Sequence, residues 1–143
     1  MLEIEPLIRQ RLTDAVPGLA GVHSAALLGI DGVGGKKLPA AFVASDGHRV
    51  LEVTAHGRTA RIASRWTVFV VVRNVQQFDT GEAARADAAD LVKSCLQALM
   101  GWQPAPGYQS MHPVTPSQPE YQDGVLIYPL AFEVGEVIQG AET

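Results

Sequence analysis

Two hydrophobic periods alternate along the chain. Ile4, Leu7, Ile8, Leu12 and Ala15 recur at spacings of three, four and seven while Glu3, Arg9, Arg11 and Asp14 point away, so Leu2 to Val16 is predicted to be a helix, closed by Pro17-Gly18. Val22 to Leu28 then reads as a short strand, and Gly29 to Lys37 as a glycine-dense loop. Leu38 to Ala44 reads as a second strand, ended by a tight turn at Ser45-Asp46-Gly47. From Thr59 to Arg73 the alternation is strict. Ala60, Ile62, Ser64, Trp66, Val68, Val70 and Val72 share one face, and Arg61, Ala63, Arg65, Thr67, Phe69 and Val71 lie on the other. This strand exceeds the usual length of about ten residues, which predicts a hairpin arm projecting beyond the domain and pairing with Val50 to Thr54.

The second helix has Asp79 or Thr80 as its N-cap and Glu82 in its first turn. Its apolar stripe comprises Ala84, Ala88, Leu91, Val92, Cys95, Leu96 and Leu99, and Gly101 stops it. If that stripe is buried, truncating Leu96 should cost about 2–5 kcal/mol. Residues 103–123 contain five prolines and read as an irregular connection. In the closing strand, Val125 to Ile138, Leu126, Tyr128, Leu130, Phe132 and Val134 oppose Ile127, Pro129, Ala131 and Glu133. Pro129 lacks an amide hydrogen and predicts an edge or a bulge. The expected fold is α/β of the α+β type, a single domain over residues 1–143. About four mainly antiparallel or mixed strands would be flanked by two helices.

Composition narrows the function. A 47% hydrophobic fraction suits one globular core, and a net charge of −4 lacks the clustered basic excess of a nucleic-acid binder, which leaves protein as the expected partner. One cysteine precludes an internal disulfide, and the apolar run Val68 to Val72 is too short for a bilayer. With Glu3 and Glu5 in place of a basic leader, a soluble chain made in a reducing cytoplasm is expected, with no membrane partner.

The search for chemistry leaves little. A phosphate loop would need glycine where Ile30 stands and Ser or Thr where Lys37 stands. His23, His48, His56 and His112 lack metal-ligand spacing, Ser24 and Ser110 lack a nucleophile elbow, and Cys95 lies on a core stripe. No catalytic residue, metal or cofactor is assigned. Arg61 and Arg65 project from one face of the long strand, with Arg58 and Arg49 near its outer end. They read either as a solvated face or as a subunit interface or ring lumen in which Glu120, Asp123, Glu133 and Glu136 of a neighbour are the acidic partners.

Several local features in order resemble the tail terminator proteins of long-tailed phages and related contractile particles. These are the short N-terminal helix with Leu7-Ile8, Leu38-Pro39-Ala40-Ala41-Phe42-Val43, Trp66 to Val72, the helix stop Leu99-Met100-Gly101-Trp102-Gln103-Pro104, and Leu130 to Glu133. The resemblance implies a virion protein, assembled in the host cytoplasm, that forms a homohexameric ring on the head-proximal end of the tail tube. There it would stop tube polymerisation and join tail to head. Its implied partners are further copies of itself, the tail tube protein, neck or head-completion proteins and the sheath protein. Two alternatives stay open at this point: another neck component, such as a head-closure or tail-completion protein, and a small-molecule-binding α/β enzyme.

Overall fold

A computed structural model describes residues 1–25, 37–73, 82–122 and 124–141, with backbone alone at 82–87 and 122. The end of the first expected strand, most of the glycine loop, the N-cap of the second helix and Asp123 lie outside the described residues. A 3-10 turn, Leu2–Ile4, leads into α1, Glu5–Ala15, with Pro6 in its first turn, where a missing amide hydrogen costs nothing. The buried stripe is Ile4, Ile8, Leu12 and Val16. It is narrower than expected, since Leu7 and Ala15 face outward.

The strands are β1 (Gly21–Ser24), β2 (Ala40–Val53), β3 (Thr59–Arg73), β4 (His112–Val114), β5 (Glu120–Gln122) and β6 (Val125–Gln139); α2 spans Glu82–Leu99. They form one mixed sheet in the order β1-β2-β3-β6-β4, with β5 also on β6, and only β1 and β2 run parallel. The sheet thus has six strands rather than about four. Ser45-Asp46-Gly47 is not a reversal. The register shifts between Ser45 and His48 while β2 continues, and Gly47 takes a φ of +83°, so the Asp-Gly pair makes a bulge. The expected pairing of Val50 to Thr54 with β3 is present, and Thr54 to Arg58 closes the hairpin.

Within the 103–123 connection, β4 and β5 attach to the outer side of β6, so part of that segment is sheet. Pro129 consequently sits on an internal strand, at the gap between the residues paired with β5 (up to Ile127) and with β4 (from Ala131). There its missing donor breaks no outer ladder.

Both helices lie on one face of the sheet. Their core joins Ile4, Ile8, Leu12, Cys95 and Leu99 to Trp66, Val68, Val70, Leu130, Phe132 and Val134. Leu96 packs at the rim of this core, half-buried. Burial alone pushes the Cys95 thiol up to about 12, as expected of a thiol used as a small hydrophobe. The Arg11 guanidinium ties α1 to the end of α2: its Nε donates to the Ala98 carbonyl at 2.9 Å and its Cζ lies 5.8 Å from the centroid of the Trp102 ring. A second cluster, Ala40, Phe42, Val71 and Val125, buries the opposite face at the other strand ends. Strand β3 is buried on both sides from Ile62 onward, so double-sided burial begins earlier than its second half, where the sequence places it.

Candidate functional site

Beyond the helices, three strands continue alone. They comprise β2 from Val50, β3 up to Arg61 and β6 from Val137, and they form the projecting arm. Cross-strand partners share a face, so register decides what each face offers.

On the face away from the helices, Arg49 reaches Glu133 with two bonds, Nη2 to Oε1 at 2.9 Å and Nε to Oε2 at 3.2 Å. Glu133 is 7% exposed, and the Arg49 guanidinium holds its carboxyl below the ordinary range against the opposing effect of burial. Arg65 donates to the Thr115 carbonyl at 2.9 Å and lies 3.9 Å from Asp46, whose carboxylate also accepts from the Thr67 hydroxyl. Arg61 pairs with Glu52 at 3.2 Å, both exposed. Arg58, in the hairpin turn, has no side-chain partner among the described residues.

Three of the four arginines are therefore engaged within their own chain, and Glu133 pairs with Arg49 of that chain. Glu136 lies on the other face. Its Oε1 is 3.4 Å from the Met1 amino group, which donates to Glu3 at 2.5 Å and to the Tyr108 hydroxyl at 3.1 Å, while that hydroxyl donates to Glu3. The bond from the amino group, then that from Tyr108, lowers Glu3 to about 2. Burial first, and the bond to Glu3 next, push the Tyr108 phenol up.

Sequence reading found the arginine face because period-2 spacing displays it. It missed Asp46, Glu52, Thr67 and Thr115 as partners, because these depend on the bulge and on the register of three strands. Among the described residues, no three His, Cys, Asp or Glu side chains gather as a metal would require. No helix among them is long and apolar enough to cross a membrane.

The arrangement presents charged and exposed aliphatic side chains together on one arm, which is what a protein contact uses. Residues 2–142 match the sequence family described as Phage tail terminator protein. The chain belongs to the phage tail terminator family. No curated protein matches its sequence. Its fold is similar to that of a chain in a solved structure titled "Virion of native gene transfer agent (GTA) particle". The identity is 17%, the TM-score 0.50, and 91% of each chain is covered. As a tail terminator family member it is a structural virion protein and not an enzyme, which closes the small-molecule alternative.

The ion pairs of this terminator fold carry a pH dependence. Glu133 and Glu3 both ionise more easily folded than unfolded, so the stability they add is complete above their ordinary value of 4.5 and lost as acid protonates them, for Glu3 down to about 2. The melting temperature should therefore fall as pH drops from 5 toward 3. Glu133→Gln should flatten that slope; an identical acid slope in both proteins would remove Glu133 from the account.

Proposed function

We propose that six copies of this chain form a ring on the head-proximal end of a tail tube, where the ring halts tube polymerisation and presents the surface to which neck or head proteins join. The observation that carries this reading is the family match across nearly the whole chain, 2–142. The arm supports it, since three strands extending past the helices with exposed aliphatic residues serve no core of their own and suit contact with a second protein. The tube end, the neck or head-completion proteins and the sheath protein are its partners in this reading. Arg58 and Arg61 are the most available of the arginines, while Arg49, Glu133 and Glu136 shape the subunit from within.

Deleting the gene from a producing strain tests the proposal. Tails of uncontrolled length, or tails that fail to join heads, are expected, with both defects repaired by supplying the chain in trans. Normal tail lengths and normal head joining in the deletion would refute it. In the intact particle, a count other than six around the tail axis would refute the hexamer.

A further inference from the structure

The sheet ends differently at its two extremities. At the arm end, Val50, Val53 and Ile138 are 59%, 56% and 40% exposed. Val50 opposes Ile62 and Val53 opposes Ala60, which opposes Ile138, so all three lie on the helix-side face, past the point where the helices stop covering it. Arg58 stands beside them in the hairpin turn. At the other end, β5 pairs with β6 on one side only, and its Tyr121 is 51% exposed. Tyr121 opposes Leu126, which opposes Val72, so it too faces the helix side. The exposed Glu120 beside it has no cationic partner among the described residues. Between Leu126 and Ile138 the strand rises about 40 Å.

Charge divides along the same axis. Residues 48–61 carry three arginines and one glutamate, net +2, so the rest of a chain of net −4 carries −6. A basic arm on an acidic body is complementary to another copy of itself, head to tail. A head-to-tail junction also requires two different patches on each subunit, so that every copy both gives and receives. Among the described residues, one of the acids that could meet a neighbour's arginines has no partner within its own chain. Glu133 is held by Arg49 and Glu136 lies by the Met1 amino group, whereas Glu120 is exposed and unpaired.

We propose that the arm docks on the β5 edge of a second copy of this chain, its aliphatic face (Val50, Val53, Ile138) against Tyr121 and its Arg58 beside Glu120. The inference rests on the ring reading and specifies the junction. The apolar contact supplies affinity and the charge pair fixes the register.

Cysteine trapping in purified particles tests it, with Val53→Cys and Tyr121→Cys combined in one chain. The two positions are too far apart within a subunit for a disulfide, which needs Cβ atoms about 4 Å apart, so any bond joins two copies. The native Cys95 is fully buried and does not compete. Mild oxidation should give a ladder of covalent multimers from the double variant and at most dimers from either single one. A double variant with normal tails and no ladder overturns the docking surface and leaves the ring standing. A bond from Val53→Cys to the tube protein likewise overturns it, by assigning the arm another partner. Particles holding one copy of the chain overturn the ring and the junction together. Where the cysteines themselves block assembly, charge exchange decides: Arg58→Glu and Glu120→Arg should each lower ring yield severalfold and restore it when combined, and failure of the combination to restore overturns the pairing.

Discussion

Leu99→Ala is expected to destabilise the subunit by about 2–5 kcal/mol, the range for emptying a fully buried leucine site. Leu99 has no exposed surface. It sits in the last turn of α2, where Gly101 at a φ of +73° ends the helix, and it joins the cluster that also holds Ile4, Ile8, Trp66 and Phe132. Neighbours drawn from two helices and the sheet cannot all move inward to fill the space. Leu96→Ala is the comparison. One turn earlier and half-buried, it exposes its cavity to water and should cost about 1–2 kcal/mol, within the ordinary range for point changes. Thermal or denaturant unfolding of the two variants separates them by several degrees, at about 4 °C per kcal/mol for a chain of this size. A loss below about 0.5 kcal/mol at Leu99 would place α2 on the outside and overturn the two-layer packing.

That comparison also shows what the sequence could convey. Periodicity located α2 and its apolar side, because any helix with Leu91, Cys95 and Leu99 on one stripe must bury them. It could not rank Leu96 against Leu99, because depth is set by what the sheet offers opposite. The same division holds among the strands. The faces of β3 and β6 were legible residue by residue. Strands β4 and β5 were not, since three-residue strands amid prolines owe their existence to the free outer side of β6 rather than to any pattern of their own. Asp46-Gly47 misleads for a chemical reason: a hairpin turn and a bulge both want a glycine at positive φ, and only the continuation of β2 past His48 distinguishes them. At the site, the arginines could be found from alternation, but whether each pairs at home or with a neighbour is a question of register.

Register makes Arg61 and Arg65 respond differently to the same change, although they share a strand face. Arg65 faces Glu133 across the ladder, donates to the Thr115 carbonyl and borders Asp46. Arg65→Glu would set a third carboxylate among acceptors and leave that carbonyl without its donor, so a loss of about 1–3 kcal/mol of stability is expected before any effect on assembly. Arg61 is half-exposed and meets only Glu52, itself 70% exposed. Arg61→Glu places like charges directly opposite on an open face, which costs the subunit at most about 1 kcal/mol. Across an interface, however, the same reversal can cost several kcal/mol, because repulsion between partners excludes the correct docking. Circular dichroism melts combined with complementation read both effects. Arg61→Glu should melt close to the parent yet yield tails of uncontrolled length or tails without heads, whereas Arg65→Glu should already melt early. Normal tails from a well-folded Arg61→Glu would return Arg61 to a solvated side chain held by Glu52, and would leave the family assignment untouched.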